Sequence, residues 1–376
     1  MRIALFTGNY NYVREGANQA LNRLVGYLED KAGHKVRVYS PVTDTPAFAP
    51  TGTLVPVPAV RLPVRGEFRL ALGVPRTIRA DLTRFAPELI HVATPDILGT
   101  RAQTFAIRNG IANVTSLHTR FETYLDYYRL GWLRPAIEAH LGRFYRRSDH
   151  VLAPTPAIVE ELRTLRGDDH VSLWSRGVDR TLWDPSRRDL AWRRAQGIAD
   201  DEVVILFFGR LVLEKGILVY LQIIEELRHR GVKLRALAVG EGPARDRFSP
   251  IAGAVLTGHL DGPDLARAVA SADIMLSTSV SEAFGNVVLE AMASGLAVVS
   301  ADVGSARGLL TDGVSGVLCA PLNVRAYADQ VARLARDPVR RAAIGAAARE
   351  ASAAFSWRAA SQAVAQAYEA VIERRS

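Results

Sequence analysis

The feature that most restricts the fold of this chain is a long alternation of short apolar segments with helix-like segments. These segments are short runs of β-branched or other apolar residues, and stretches of roughly ten to fifteen residues with helical patterning lie between most of them. The apolar segments are residues 2–7, 35–40, 89–94, 114–119, 150–155, 203–209, 234–240, 273–279 and 296–301. Alternating strands and helices with continuously apolar strands form parallel sheets that are covered on both faces. The pattern therefore predicts an α/β fold with doubly wound parallel sheets.

A break in this alternation indicates two domains. The chain has 376 residues, which suits two domains of roughly 150–200 residues each. The polar, tryptophan-containing segment 175–202 interrupts the series, and a new series begins at Val203. We predict a first domain at 1–178, a junction at 179–202 and a second domain at 203–355, facing each other across a cleft. The amphipathic segment 356–376 has no following strand and is expected to pack back on the first domain.

Composition narrows the cellular setting and the partners. No stretch of 18 or more apolar residues occurs, so no transmembrane helix is predicted, and the early apolar run is too short for a signal peptide. The single cysteine, Cys319, excludes an internal disulfide and fits a reducing cytoplasm. A net charge of +8 favours an anionic partner, which is nucleic acid, anionic lipid or a phosphorylated ligand.

Candidate site residues follow the predicted strands, because ligands of parallel sheets bind beyond the carboxyl ends of strands, near helix N-termini. The sequence GRLVLEKG (209–216) follows one strand and places Arg210 and Lys215 just before a helix. Two cations beside a helix start suit a diphosphate, and the alternative is a solvated basic loop. After the first strand, a helix is expected to begin near Gly16, where the loop either approaches an anion or is an ordinary connection.

The segment SEAFGNVVLEAMASG (281–295) carries two carboxylates around a helix start. Gly285 and Asn286 can begin that helix, with free backbone N–H groups at its first turn. Glu282 precedes the helix and can accept sugar hydroxyls, whereas Glu290 is either a ligand contact or a solvated residue at the helix edge. In the first domain, His118 lies at a strand end, where it is either structural or in contact with a ligand.

Several kinds of site are unsupported by the sequence. There is no D-x-D, no H-E-x-x-H and no cysteine pair, so neither a metal site nor a metal cofactor is predicted. The nucleophile elbow of hydrolases and the P-loop are also missing. A nucleic-acid partner is not expected, because aromatic residues do not interleave with the basic ones and no reading module occurs.

Together, these motifs resemble a known family. GRLVLEKG, GEGPAR (240–245) and SEAFGNVVLEAMASG, in this order on strand ends, are similar to the retaining glycosyltransferases of family 4, which have the GT-B fold. The spacing of Glu282 and Glu290 matches the E-x7-E pair of that family. The resemblance covers essentially the whole chain, and HTRFETYLDYYRLGWL (118–133) looks most like the branch that acts on lipids: sulfoquinovosyl, glycosyl-diacylglycerol and phosphatidylinositol mannosyl transferases.

The resemblance implies roles for the second-domain residues. Arg210 and Lys215 would hold the donor diphosphate and stabilise charge on the leaving phosphate, and Glu282 would bind hydroxyls of the donor sugar. Glu290 would accept both ribose hydroxyls of the nucleotide, and Leu260 would lie against the base. The backbone amides that would contact the sugar and phosphate are those around Phe284, Gly285, Asn286 and Val287.

For the first domain, the resemblance implies that Gly16 lets a loop approach the donor phosphate and that His118 contacts the transferred sugar near its anomeric carbon. The family often has paired glycines in that loop, whereas this chain has only Gly16 in REGAN. From its position after His118, we also hypothesise that Arg120 faces an anion, either an acceptor phosphate or the carboxylate of a uronic-acid donor.

The expected activity is retaining, metal-independent transfer of a hexose or uronic acid from a UDP- or GDP-linked sugar to a membrane lipid. Basic segments at 61–84 and 134–149 suit an anionic membrane surface, which would make this a peripheral protein on the inner face of the cytoplasmic membrane, although a solvated arginine-rich face is the alternative. Two rival activities use the same fold. One is transfer to a glycan or polyprenyl-linked acceptor in exopolysaccharide or lipopolysaccharide assembly, and the other is epimerisation of a sugar nucleotide.

Overall fold

The computed structural model describes residues 1–61, 68–125, 127 and 130–376. It contains two compact units. We call the first the N-terminal unit; it comprises the described residues of Met1–Leu125, Leu130–Arg176 and Trp357–Ser376. The second, the C-terminal unit, is built on Gly177–Ser356.

The N-terminal unit is organised around a parallel sheet. Its strands are β1 (Arg2–Phe6), β2 (Lys35–Ser40), β3 (Thr53–Pro56), β4 (Ala59–Arg61), β5 (Arg69–Ala71), β6 (Leu89–Val92), β7 (Ala112–Ser116), β8 (His150–Ala153) and β9 (Val171–Leu173). Its helices are α1 (Gly16–Asp30), α2 (Arg76–Phe85), α3 (Ile97–Arg108), α4 (Phe121–Tyr124), α5 (Arg134–Arg146), α6 (Pro156–Arg166) and α14 (Trp357–Arg375), with a 3-10 turn at Gly131–Leu133. Among the described residues the sheet has the order β3-β2-β1-β6-β7-β8-β9, while β4 and β5 form a separate antiparallel pair.

The C-terminal unit is a second parallel sheet with helices on both faces. Its strands are β10 (Val203–Phe208), β11 (Leu234–Val239), β12 (Val255–Gly258), β13 (Ile274–Ser277), β14 (Ala297–Ala301) and β15 (Val317–Cys319). Its helices are α7 (Leu190–Ala195), α8 (Ile217–His229), α9 (Gly262–Ala270), α10 (Asn286–Ala293), α11 (Gly304–Arg307), α12 (Val324–Arg336) and α13 (Pro338–Ser352), with 3-10 turns at Pro185–Arg187, Leu213–Lys215 and Arg245–Phe248.

The order of these six strands among the described residues is β12-β11-β10-β13-β14-β15. Strands β11 and β12 lie on one side of β10, and β13, which comes next in the sequence, lies on the other side. Adjacent strands whose connections leave in opposite directions open a crevice between the loops at their carboxyl ends, which is where ligands bind in sheets of this kind. The site of interest is therefore the end of β10 and β13.

Successive side chains of a strand in the C-terminal unit are buried on opposite faces of the sheet. In β10, Val204 and Leu206 belong to one buried cluster, whereas Ile205 and Phe207 belong to another. The first cluster includes residues of α9 and α10, and the second includes residues of α8 and α12. Strands that are apolar on both sides require this two-sided cover, so the predicted doubly wound α/β class is confirmed.

The segment predicted as a junction is part of the C-terminal unit. Trp183 and Ile198 lie in its core. Arg193 is fully buried, and its Nη1 donates to Asp273 at 3.1 Å. Residues 179–202 therefore fold against the second sheet, because their tryptophan and apolar side chains are buried there.

The last helix packs on the N-terminal unit. The buried residues of α14 include Ala360, Val364, Tyr368 and Val371, and they share a core cluster with residues of α1 and β7. No helix in the described part of the chain combines the length and the apolar character that crossing a membrane requires.

Candidate active site

Two loops meet at the carboxyl ends of β10 and β13. The loop after β10 contains Arg210 and the 3-10 turn that ends at Lys215, and α8 follows it. The loop after β13 contains Glu282 and leads into α10. The topology thus brings together the motif residues that sequence analysis placed on separate strand ends.

Hydroxyl groups fix the first loop to the second. Thr278 Oγ1 donates to the carbonyl of Gly216 at 2.8 Å. Ser279 and Ser281 both donate to the carbonyl of Glu214, at 3.0 and 3.1 Å. Three hydrogen bonds from one loop therefore position the backbone on both sides of Lys215.

Gly216 is required in this turn for two reasons. Its φ of +74° lies in the left-handed region, which disfavours residues with a Cβ atom. A Cβ atom at this position would also lie 2.5 Å from the Thr278 carbonyl oxygen. The close contact between the two loops therefore depends on glycine.

Lys215 and Glu282 form an ion pair at this junction of loops. Lys215 Nζ donates to Glu282 Oε1 at 2.5 Å, and the side chains are 28% and 18% exposed. An ammonium group has three N–H donors and a carboxylate has several lone pairs. Within the described part of the chain, Glu282 Oε2 accepts no hydrogen bond and Nζ makes no other. Both partners therefore keep hydrogen-bonding capacity for a ligand.

The GEG sequence after β11 supports the loop that carries Arg210. Leu211 N donates to the Glu241 carbonyl at 2.9 Å, so the strand pairing continues into the loops. A Cβ atom at Gly240 would lie 1.9 Å from the Gly209 carbonyl oxygen, and one at Gly242 would lie 2.4 Å from that of Leu211. These glycines therefore let two loops stack on each other, which is a structural role for this motif.

Helix α10 presents free backbone donors. It begins at Asn286 with Gly285 as N-cap in the left-handed region, at φ +99°. The first N–H groups of a helix have no partner within it, and no described residue accepts from the N–H of Asn286 or Val287. The Oδ1 atom of Asn286 is buried and also lacks a described partner. The predicted helix start is confirmed, and it has the polarity that attracts an anion.

The remaining residues predicted to bind the donor differ in burial. Glu290 is the fifth residue of α10 and is half-buried. Phe284 is 6% exposed and packs edge-on against Phe355, with 6.1 Å between ring centroids, so its side chain belongs to the core. Val287 and Leu260 are partly buried and pack against the core cluster that contains Phe284. Arg210 is half-buried.

The N-terminal unit carries Gly16 and His118. Helix α1 begins at Gly16, as the sequence predicts. His118 lies two residues beyond the end of β7. Its Nε2 is 2.8 Å from Ser116 Oγ, and its Nδ1 accepts from Arg176 Nη2 at 2.9 Å. Both ring nitrogens are therefore engaged within the protein.

Burial and charge keep the His118 ring neutral. Burial, the Arg176 guanidinium and nearby His91 lower the pKa of His118 well below its ordinary value. Burial also lowers the pKa of Arg176 to about 10, so the guanidinium stays charged at neutral pH. A neutral, doubly hydrogen-bonded imidazole suits a fixed contact with a ligand better than proton transfer.

Arg120 already has carboxylate partners within the protein. Its Nε donates to Glu122 Oε1 at 2.8 Å, and its Nη1 and Nη2 donate to the two oxygens of Glu161 at 3.0 and 2.8 Å. A ligand anion would have to replace one of these carboxylates. The hypothesis that Arg120 faces a ligand anion stays a prediction. Binding of such an anion would require Arg120 to give up a hydrogen bond to Glu122 or Glu161.

Within the described ranges, no group of three or more His, Cys, Asp or Glu side chains is arranged to hold a metal ion.

Comparison with known proteins decides the family. A family model described as "Glycosyltransferase Family 4" matches residues 14–182, and one described as "Glycosyl transferases group 1" matches residues 202–337. A GDP-mannose-dependent alpha-mannosyltransferase of Mycolicibacterium smegmatis is 32% identical over 386 residues, covering 100% of this chain and 99% of the relative. The chain belongs to glycosyltransferase family 4.

Further relatives and solved structures agree with this membership. The sulfoquinovosyl transferase SQD2 of Arabidopsis thaliana is 28% identical, covering 96% of this family 4 chain and 71% of the relative. The structure of a sucrose-phosphate synthase from Thermosynechococcus elongatus matches with a TM-score of 0.79 at 20% identity, covering 99% of each chain. Anabaena HepE in complex with UDP matches with a TM-score of 0.74 at 20% identity, covering 98% of this chain and 100% of HepE. The expected GT-B fold is confirmed, and the protein is a glycosyltransferase that uses a nucleotide sugar.

Sequence reasoning missed the residues that fix the loops of the C-terminal unit and those that bind His118 in the N-terminal unit. The hydroxyls of Thr278, Ser279 and Ser281 follow a strand in the sequence STSVSE, a signal that could have indicated loop-to-loop hydrogen bonds. Ser116 and His91 gave no such signal, because a single serine or histidine within an apolar strand is indistinguishable from an ordinary core residue.

Proposed function

We propose that this protein is a retaining, metal-independent glycosyltransferase that moves a hexose or uronic acid from a UDP- or GDP-linked sugar to a membrane lipid. The observation that carries the proposal is the Lys215–Glu282 pair beside the N-terminus of α10, at the point where the order of strands reverses. The ammonium group of Lys215 can still donate to phosphate oxygens, and the carboxylate of Glu282 can still accept from sugar hydroxyls.

The proposed contacts with the donor follow from this arrangement. The remaining N–H groups of Lys215 and the guanidinium of Arg210 would hold the diphosphate, together with the free amides at the start of α10. Glu282 Oε2 would accept a sugar hydroxyl, while its Oε1 stays paired to Lys215. Glu290 would accept the ribose hydroxyls.

The remaining donor contacts are proposed on the family resemblance. They are those of Leu260 with the base, of Gly16 with the donor phosphate and of His118 with the sugar. Leu260 and His118 are partly exposed residues, which is compatible with ligand contact.

The chemistry proposed is same-face substitution. The bond between the anomeric carbon and the diphosphate oxygen breaks, the acceptor oxygen bonds to the same face of that carbon, and the acceptor proton passes to the leaving phosphate oxygen. Negative charge grows on the diphosphate as it leaves. Two cations and a helix N-terminus fixed before the reaction stabilise that charge, which is the main catalytic contribution we propose.

A panel of nucleotide sugars tests the donor. A ligand at about 100 times its dissociation constant stabilises the folded protein by roughly 2.7 kcal/mol, which a thermal shift detects. We expect a shift with either UDP-sugars or GDP-sugars, and turnover that gives a product with the donor's anomeric configuration by NMR. Inverted product would refute the retaining reaction, and unaltered turnover after exhaustive chelation is expected if no metal is needed.

The proposed membrane contact rests on exposed arginines. In α2, Ile78 and Leu82 are buried, whereas Arg76, Arg79 and Arg84 are exposed. The apolar side of this helix therefore packs on the protein, and only its charges are available to anionic lipid. Residues 62–67 of the predicted basic segment 61–84 lie outside the described residues, as do residues 126, 128 and 129 of the lipid-branch motif 118–133.

Co-sedimentation with anionic vesicles at low salt tests this contact. We expect the protein to pellet, and we expect replacement of the three α2 arginines by glutamine to weaken pelleting. A matched variant removes three exposed arginines of α12 in the C-terminal unit, Arg325, Arg333 and Arg336, and should pellet like the parent protein. Failure of the parent to pellet would rule out the membrane contact and would favour a glycan or polyprenyl-linked acceptor.

A further inference from the structure

A chain of hydrogen bonds within the N-terminal unit links the last helix to His118. Tyr368 Oη, on α14, is 2.6 Å from His91 Nδ1. His91 Nε2 is 2.8 Å from Ser116 Oγ, which is itself 2.8 Å from His118 Nε2. The chain ends where Arg176 donates to His118 Nδ1 at 2.9 Å.

Four of these five groups are buried, and His118 at the end of the chain is partly exposed. Tyr368 and His91 are fully buried, and Ser116 and Arg176 are 1% and 3% exposed. The Trp174 ring packs edge-on against the rings of both His91 and His118, at 5.8 and 5.0 Å between centroids. Hydrogen bonds in such surroundings are strong, and breaking one leaves a buried polar group without a partner.

The donors can be placed from one end of the chain. An arginine only donates, so His118 Nδ1 carries no proton and the neutral ring holds its proton on Nε2. His118 Nε2–H therefore donates to Ser116 Oγ, the Ser116 hydroxyl donates to His91 Nε2, and His91 Nδ1–H donates to Tyr368 Oη. Burial keeps the His91 ring and the Tyr368 hydroxyl uncharged. It lowers the pKa of His91 to about 3 and raises that of Tyr368 well above its ordinary value.

We propose that Tyr368, His91 and Ser116 are positioning residues for His118, fixing the orientation and the tautomer of its ring. The proposal rests on the proposed function, in which His118 contacts the transferred sugar. Helix α14, the last helix of the sequence, thereby sets the geometry of a residue 250 positions before Tyr368. Because both ring nitrogens are occupied, His118 acts as a fixed contact and not as a proton donor or acceptor.

Removing one buried hydroxyl tests the link. Tyr368→Phe keeps the ring and deletes only Oη. We expect kcat to fall about tenfold, with the donor KM within about twofold, because ring placement is worth more in the transition state than in binding. The matched control is Tyr39→Phe in the same unit, which also deletes a buried hydroxyl, one that donates to Asp81 at 2.9 Å. Equal kcat in the two variants would overturn the proposal.

A double variant tests whether the chain acts as one unit. Ser116→Ala breaks the chain in its middle and should lower kcat like Tyr368→Phe. If the groups act through one another, the double variant should be no slower than the slower single variant. A loss equal to the product of the two single losses would contradict a continuous chain.

A measurement without turnover separates this proposal from the proposed function. In protein labelled with ¹⁵N-histidine, we expect His118 as the Nε2–H tautomer and His91 as the Nδ1–H tautomer. Tyr368→Phe should shift the ring resonances of both histidines. Unmoved His118 resonances, or the opposite His118 tautomer, would refute the positioning role. Failure to turn over any donor in the parent protein would instead refute the proposed function and leave the spectroscopic result valid.

Discussion

Replacing Gly216 by alanine tests how the site is held together. The new Cβ atom would have to occupy a left-handed backbone conformation at φ +74°, 2.5 Å from the Thr278 carbonyl oxygen and 2.6 Å from Thr278 Oγ1. The left-handed conformation costs about 1–2 kcal/mol for a residue with a side chain. Forcing the two loops apart costs about 1–3 kcal/mol more. We therefore expect Gly216→Ala to lower the free energy of unfolding by about 2–5 kcal/mol.

A second glycine of the same unit separates the two costs. Gly231 follows α8 with φ +67°, and a Cβ atom there would meet nothing within 4 Å. Gly231→Ala should therefore lose only the conformational cost of about 1–2 kcal/mol. Both variants can be compared by urea unfolding followed by far-UV circular dichroism, in which ΔG falls linearly with urea.

Activity gives the second half of the test. The clash at Gly216 displaces the adjacent Lys215, and a misplacement of about 1 Å in an active site can reduce turnover about 10²-fold. Gly231→Ala should turn over the donor like the parent protein. Equal unfolding free energies for the two variants, or full turnover by Gly216→Ala, would refute the argument that this close contact between loops positions Lys215.

Three further predictions concern charge. Lys215→Ala should reduce kcat about 10²–10³-fold while nucleotide affinity changes only a few-fold, because its charge matters most as the phosphate departs; comparable turnover in a stopped assay would contradict the role. Lowering the pH from 7 to 5 should cost about 2 kcal/mol of unfolding free energy for each of His91 and His150. Burial lowers the pKa values of these histidines in the folded state to about 3 and 4. As the pH falls below 6.5, the unfolded chain therefore binds protons before the folded protein does, and stability is lost. Unfolding curves that coincide at pH 7 and 5 would disprove this. Arg193→Met removes a fully buried partner of a carboxylate and should destabilise by about 3 kcal/mol in the same urea assay, whereas Arg194→Met removes a side chain that is 62% exposed and should change the unfolding free energy far less.

The interior strands could be found from sequence, whereas the edge strands could not. Strand β2 was predicted at its observed bounds, 35–40, and β10, β11, β13 and β14 within two residues of theirs. The prediction lacks β3, β9, β12 and β15, each of which lies at an edge of its sheet, and both strands of the separate β4–β5 pair. An edge strand is shorter and less completely covered, so its sequence lacks the continuous apolar run on which the prediction depended.

For the site, the sequence by itself determined which side chains follow which strands and where α1 and α10 begin. Those facts are local, since they depend on glycine, capping and short apolar runs. Only the tertiary structure decided which partners these side chains have. It paired Lys215 with Glu282 and Arg120 with Glu122 and Glu161. It also linked His118, through Ser116 and His91, to Tyr368, which is 250 residues later in the sequence. Such contacts depend on the order of strands and on helix packing, and no local pattern encodes the distance between residues so far apart in sequence.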